Sequence, residues 1–221
     1  MRVLVGPEGV DPADLQTLYA PLDDPWLRVN MVATVDGSAT GESGRSGSIN
    51  NAVDHRVFDH LRATADAIVV GAGTARAEGY GAAAVPIVVV SRRGDVPERL
   101  RDAPDGAVLL ATCAQAEGLA EARHLLGDEQ VLVLGTDDVD LVALRHSLVD
   151  RGRTRLLAEG GPHLLRDLLA AGVVDELCTT TVPRLVAGAH PRITDGPPLD
   201  VPVRLLTLLE EDGTLLTRWV V

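Results

Sequence analysis

The sequence contains no lysine. All 20 basic residues are arginine, set against 32 acidic ones, for a formal net charge of −12 over 221 residues. That absence removes a Schiff-base lysine, a P-loop lysine and a lysine general base from the available chemistry. The acidic balance argues against nucleic-acid binding, which leans on many phosphate contacts by basic residues. Aromatics are scarce as well: two Trp, two Tyr and one Phe, too few to stack a single strand. Two cysteines, Cys113 and Cys178, cannot form a disulfide framework and read as reduced cytosolic thiols. Long apolar runs are missing; the longest are strand-length, such as VPIVVV at 85–90, far short of the roughly 20 residues a membrane span needs. MRVLVGPEGVDPADL at the start lacks the basic and apolar stretches of a signal peptide. The expectation is a cytoplasmic chain with neither membrane nor nucleic acid as partner. Any anionic ligand must be held by a few local arginines and by backbone amides.

What is present is a core. Apolar residues make up 46% of the chain, and the length suits one domain. Residues 1–25, rich in Pro and Asp, read as a surface arm, and 26–221 as the domain itself. Strands are predicted at 26–35, 65–73, 85–91, 107–112, 130–135, 153–161 and 176–186. A Gly/Ser loop over 36–48 is too long for a hairpin and reads as functional. Helices are predicted over 50–62, 74–78, 139–151 and 162–172, the last with Pro at its first position and Gly just past its end. The runs 203–210 and 214–221, joined by Glu-Asp-Gly, read as a terminal hairpin. Apolar strands alternating with helices imply an α/β fold, mostly parallel and covered on both faces, with an antiparallel C-terminal hairpin. In such sheets ligands bind beyond the carboxyl ends of the strands.

Three of those strand exits have phosphate chemistry. In VVGAGTARAEG (69–79), Gly71 and Gly73 permit close backbone approach and Thr74 can cap the next helix. In VVVSRRGD (88–95), Ser91 and Arg92 follow a buried strand, and arginine supplies a bidentate fork for phosphate. In LLAEGGPHLLRDLL (156–169), Gly160, Gly161 and Pro162 put free amides at a helix start, and Glu159 ends the strand before them. Each exit alone also reads as an ordinary capped turn or solvated strand end; together they point to a dinucleotide or a phosphorylated ligand. No G-x-G-x-x-G follows the first strand, so this is not the usual Rossmann fingerprint. The six histidines form no metal-ligand pair.

The runs NMVATVDGSATGESGRSGSIN, HLRATADAIVVGAGTARAEGYG and LLAEGGPHLLRDLLAAGVVDEL resemble the reductase domain of bifunctional riboflavin-biosynthesis proteins (RibD C-terminal, pyrimidine reductase), a family with a dihydrofolate-reductase-like fold. They lie in family order and the similarity spans residues 25–221. The resemblance implies NADPH as cofactor and 5-amino-6-(5-phosphoribosylamino)uracil as substrate, its ribosyl group reduced to ribityl by hydride transfer. Matched position by position, it assigns Gly71, Gly73, Thr74 and Glu78 to the first nucleotide loop. Ser91 falls at the adenosine end, with Arg92 beside the 2′-phosphate. Gly160, Gly161, Pro162, His163 and Leu164 would seat pyrophosphate and nicotinamide, with Ala33 and Ser48 at further cofactor contacts. Ser46, Arg62 and Glu159 match substrate positions, Arg62 as sugar-phosphate ligand. Glu159 and Asp36 are the candidate acids, although Asp36 also reads as an Asp-Gly turn residue bonding its own backbone. Where the family typically has lysine, six residues before Asp36, stands Asn30, a further substrate-site position. That exchange motivates a second reading, a pterin such as dihydrofolate or another heterocycle reduced on the same fold. No deaminase motif accompanies the reductase. The family tends to form homodimers through its sheet edge, and the apolar last strand reads as an edge needing cover.

Overall fold

A computed structural model describes all residues, 1–221. Ten strands form a single sheet: β1 (Arg2–Val5), β2 (Trp26–Thr34), β3 (Ala67–Gly71), β4 (Ile87–Val90), β5 (Val108–Thr112), β6 (Val131–Val133), β7 (Arg155–Ala158), β8 (Glu176–Val182), β9 (Arg204–Glu211) and β10 (Thr214–Val220), in the spatial order β1-β9-β10-β8-β2-β7-β3-β4-β5-β6. Every pairing from β8 through β6 is parallel, and β8–β10, β10–β9 and β9–β1 are antiparallel. The parallel half explains the near-continuous apolar runs, because those strands are buried on both faces.

Side chains alternate across the sheet and build two cores. Ile68, Val70, Ile87 and Val89 face α2 (Ala52–Thr64), α3 (Ala72–Glu78) and α4 (Leu119–Leu126). Ala67, Val69, Val88 and Leu109 face α5 (Leu141–Asp150) and α6 (Pro162–Ala170). The short α1 (Leu15–Leu18) closes the first core with the fully buried Leu18. No helix is long and apolar enough to cross a membrane.

The fold class stands as the sequence predicts, and three local expectations do not. The first 25 residues lie mostly at the surface, but they are tied into the sheet rather than standing apart from it as an arm. β1 pairs with β9 through Arg2↔Glu210 and Val3↔Leu209, and Leu18 and Tyr19 are buried. The last strand is not an edge either, because β10 lies between β8 and β9 and the outer strands are β1 and β6. At the β3 exit the helix starts at Ala72, capped by the Gly71 backbone, so Thr74 sits inside its first turn rather than capping it.

Candidate functional site

The carboxyl ends of β2, β3 and β7 open into a cleft of about 340 Å³. Its floor is a junction of two glycine turns. Glu159 N–H donates to the Val69 carbonyl at 2.9 Å, and Gly71 N–H donates to the Gly160 carbonyl at 2.8 Å, so the β7 exit is stitched to the β3 exit. The Gly160–Gly161 peptide is cis. Only glycine fits at these two positions. A Cβ on Gly161 would lie 2.3 Å from Thr74 Oγ1, and one on Gly160 would lie 2.9 Å from Met31 Sδ. Gly161 caps α6 with no side-chain bond and Pro162 occupies the first turn, so the amides that begin α6 have no capping side chain over them.

Glu159 stands above this junction, its side chain 3% exposed. Arg62, from the last turn of α2, donates to it through Nε and Nη2, both at 2.7 Å, and Tyr80 Oη donates at 2.5 Å. The Arg62 guanidinium lies 4.4 Å over the Phe58 ring and 5.4 Å from the Tyr80 ring, a cation–π sandwich that fixes the fork. Burial, then the neighbouring Glu159 charge, push the Tyr80 hydroxyl above its ordinary range, so it remains a donor. Nε and Nη2 of Arg62 are thus committed to Glu159, which leaves Nη1 without a hydrogen bond, and Arg62 itself stands behind Glu159 rather than among the residues lining the cleft.

The loop after β2 walls the other side. Ser46 N–H donates to Glu78 Oε1 at 2.8 Å, tying this loop to α3. Ser48 Oγ accepts from Gly41 N–H at 3.0 Å and donates to the Arg45 carbonyl, folding the loop on itself. His163 is exposed and its Nδ1 lies 3.0 Å from the Asp195 carbonyl, pinning the 191–195 segment over the start of α6.

The cleft gathers Asn30, Ser46, Gly73, Thr74 and Glu78 with Glu159, Gly161, Pro162 and His163. Gly71, Gly160 and Leu164 lie just beneath that lining, packed against one another. Ala33 belongs to β2, opposite Thr181, and does not line the cleft. Ser91 and Arg92 sit one strand beyond β3, at the β4 exit. Ser91 is buried and its Oγ accepts from Asp95 N–H, whereas the Arg92 side chain is 72% exposed with only Asp138 near, at 3.4 Å. Asp36 faces away from the cleft. It accepts from Thr34 Oγ1 and from the amides of Val186 and Ala187, bonds that hold its carboxyl down to about 2. At neutral pH it has no proton to give, and its work is to tether the 184–187 segment to the β2 turn. Residues that sequence reasoning passed over also line the cleft: Thr40, Asn50, Asp54, Phe58 and Tyr80.

A mostly parallel sheet whose glycine exits converge on a cleft at the start of a helix defines an α/β protein with a candidate small-molecule site at its strand ends. Residues 25–215 match the RibD C-terminal domain, and the chain belongs to that family. It is 32% identical, over 190 residues, to the 2,5-diamino-6-ribosylamino-4(3H)-pyrimidinone 5′-phosphate reductase of Archaeoglobus fulgidus, covering 78% of this chain and 87% of the relative. The enzyme of the same name from Methanothermobacter thermautotrophicus is 30% identical over 187 residues, 80% of this chain and 86% of the relative. Among solved structures, a pyrimidine reductase-like protein from Corynebacterium diphtheriae superposes with a TM-score of 0.81 at 25% identity, over 93% of this chain and 97% of that one. The chain is thus a member of a pyrimidine reductase family of riboflavin biosynthesis.

Proposed function

We propose that this chain is an NADPH-dependent reductase that converts the ribosyl group of a 6-(5-phosphoribosylamino)pyrimidine to ribityl. The observation that supports this best is the floor of the cleft. At Gly160 and Gly161 any side chain would collide, which leaves a bare backbone and uncapped helix amides against the site. That cradle fits a pyrophosphate. Gly71, Gly73, Thr74 and Gly160 to Leu164 would hold the cofactor's phosphates and nicotinamide, and the exposed Arg92 fork would take a 2′-phosphate. Bound there, NADPH supplies the hydride.

The substrate chemistry is short. Opening the ribose ring moves the amine proton to the ring oxygen and leaves a C=N bond. Reduction adds hydride to that carbon and one proton to the nitrogen. The chain's own part is to place the imine, exclude water and stabilise positive charge at the nitrogen. Glu159 suits the last of these, because it is buried beside the glycine junction and Arg62 and Tyr80 fix its orientation. The Nη1 edge of Arg62 would take the sugar phosphate, with Ser46 beside it.

The sequence resemblance names the uracil as substrate, and the archaeal relatives are named for the 2,5-diamino-pyrimidinone. Both carry the same reacting carbon. NADPH oxidation should therefore be followed with each compound and with dihydrofolate. A product two hydrogens heavier than either phosphoribosylaminopyrimidine supports the proposal. Oxidation with dihydrofolate alone would install a pterin reductase in its place.

A further inference from the structure

Three side-chain oxygens in the cleft are buried and make no hydrogen bond: Thr40 Oγ1, Asn50 Oδ1 and Asp54 Oδ1. Buried polar groups are nearly always paired, so a cluster of three orphans on one cavity needs a ligand to explain it. Asp54 is the telling member. It is 3% exposed, sits in the first turn of α2, and projects from the same stripe as Val57 and Leu61. Burial raises its carboxyl above the ordinary range, and a hydrogen bond from Thr180 offsets part of that. No arginine lines the cleft to pair with it. Asn30, buried on β2 in the same cleft, brings a neutral amide where a cation would have compensated the acid.

The Asp54 and Asn50 oxygens accept hydrogen bonds, and the Thr40 hydroxyl can accept as well as donate, so a ligand that donates satisfies all three. A phosphate suits this end poorly, since at Asp54 and at the Asn50 oxygen it would set acceptor against acceptor. Phe58, one helical turn beyond Asp54, and Tyr80 line the same cavity and give a flat apolar wall. A planar ring with N–H donors on one edge meets both demands. A 2-amino-pyrimidin-4(3H)-one carries two adjacent donors there, the ring N3–H and the exocyclic amine. In a uracil, the carbonyl at C2 would face the carboxyl instead.

We propose that Asp54, supported by Asn50 and Thr40, is the specificity residue of the cleft. It reads the 2-amino group of the substrate's base and so selects the aminopyrimidinone over the uracil. This rests on the cleft being a pyrimidine reductase site, and the test separates the two claims. The bases 2,5,6-triaminopyrimidin-4-one and 5,6-diaminouracil differ only at position 2 and cannot be reduced. Their dissociation constants are measured by calorimetry on the native chain and on Asp54→Asn, with a thermal melt to verify folding. The native chain should prefer the amino base by roughly tenfold to a hundredfold, and Asp54→Asn should erase most of that preference. Equal affinities on the native chain overturn the proposal whatever the variant does, and assign the orphaned oxygens to sugar hydroxyls, which both substrates share. A folded Asp54→Asn that keeps the full preference overturns it as well. If the native chain prefers the amino base yet reduces neither phosphoribosylated substrate, the subsite stands and the proposed reaction falls.

Discussion

Two buried acids lie at opposite ends of this sheet and are treated in opposite ways. Glu176, near the amino ends of the parallel strands, is 0% exposed and its carboxylate is surrounded by donors. Arg28 and Arg218 each grip it with two nitrogens at 2.7–3.0 Å, and Trp26 Nε1 donates at 2.9 Å. The Nη2 atoms of Arg28 and Arg218 also donate to the carbonyls of Tyr19 and Ala20, and Arg218 Nη1 donates to that of Leu18. Asp54, at the carboxyl ends, is buried almost as deeply and has an oxygen with no partner at all. Burial alone would raise both acids. At Glu176 the guanidiniums overcome desolvation and bring it down to about 2; at Asp54 desolvation wins. A satisfied cluster is architecture, whereas an unsatisfied one is kept open for something that arrives later.

The sharpest way to break that contrast is Glu176→Gln. Removing the charge strands two buried guanidiniums on a neutral amide, and losing one partner of such a cluster costs about 3–5 kcal/mol. A urea melt should show this as a lower midpoint with an unchanged slope. The stabilisation also has a pH signature. Because the folded-state value is depressed, it is present above the ordinary value of 4.5 and is lost as pH falls toward about 2. The native chain should lose stability through that window, and Glu176→Gln should lose less.

The cleft end depends on what is absent rather than on what is paired, and Gly161→Ala fills that absence. The added methyl would sit 2.3 Å from Thr74 Oγ1. Overpacking of this kind costs about 1–3 kcal/mol. It should weaken cofactor binding further by crowding the helix amides. Thr74→Ala in the same chain removes the oxygen in the way; the Thr74 Cβ is a comfortable 3.6 Å from the new methyl. The double variant should recover most of the melting temperature, and if it does not, the steric account of this junction is wrong.

The same contrast explains what could be read in advance. Buried strands announce themselves by apolar runs, and glycine exits by their spacing, so the parallel sheet and the floor of the cleft were legible. β1 was not: it is a four-residue edge strand with mostly exposed side chains, held by backbone pairing to a segment more than 200 residues away. The Arg62–Glu159 fork spans 97 residues and likewise leaves no local mark. Asp54 did leave one. It lies three and seven residues before Val57 and Leu61, on the buried stripe of its helix, where a charge has no structural reason to be. An acid in the first turn also favours a helix start, which gives the same residue a second, purely local reading.

Asp54→Asn supplies the smallest effect, and its sign decides between the two kinds of buried acid. A carboxyl whose value is raised on folding favours the folded chain most at low pH and forfeits that advantage as pH climbs through the raised value. At a pH above the ordinary carboxylate range the buried Asp54 is therefore a liability. An amide of the same shape removes the liability, so Asp54→Asn should be more stable than the native chain by roughly 0.5–2 kcal/mol at neutral pH, the usual size of a gain at a site strained for function. The gain should shrink toward zero as pH is lowered, because the native acid then becomes neutral too. Thermal melts of both chains across that range measure it. Destabilisation at every pH would mean that the Asp54 carboxylate has a structural partner after all, and would place it with Glu176 instead of against it.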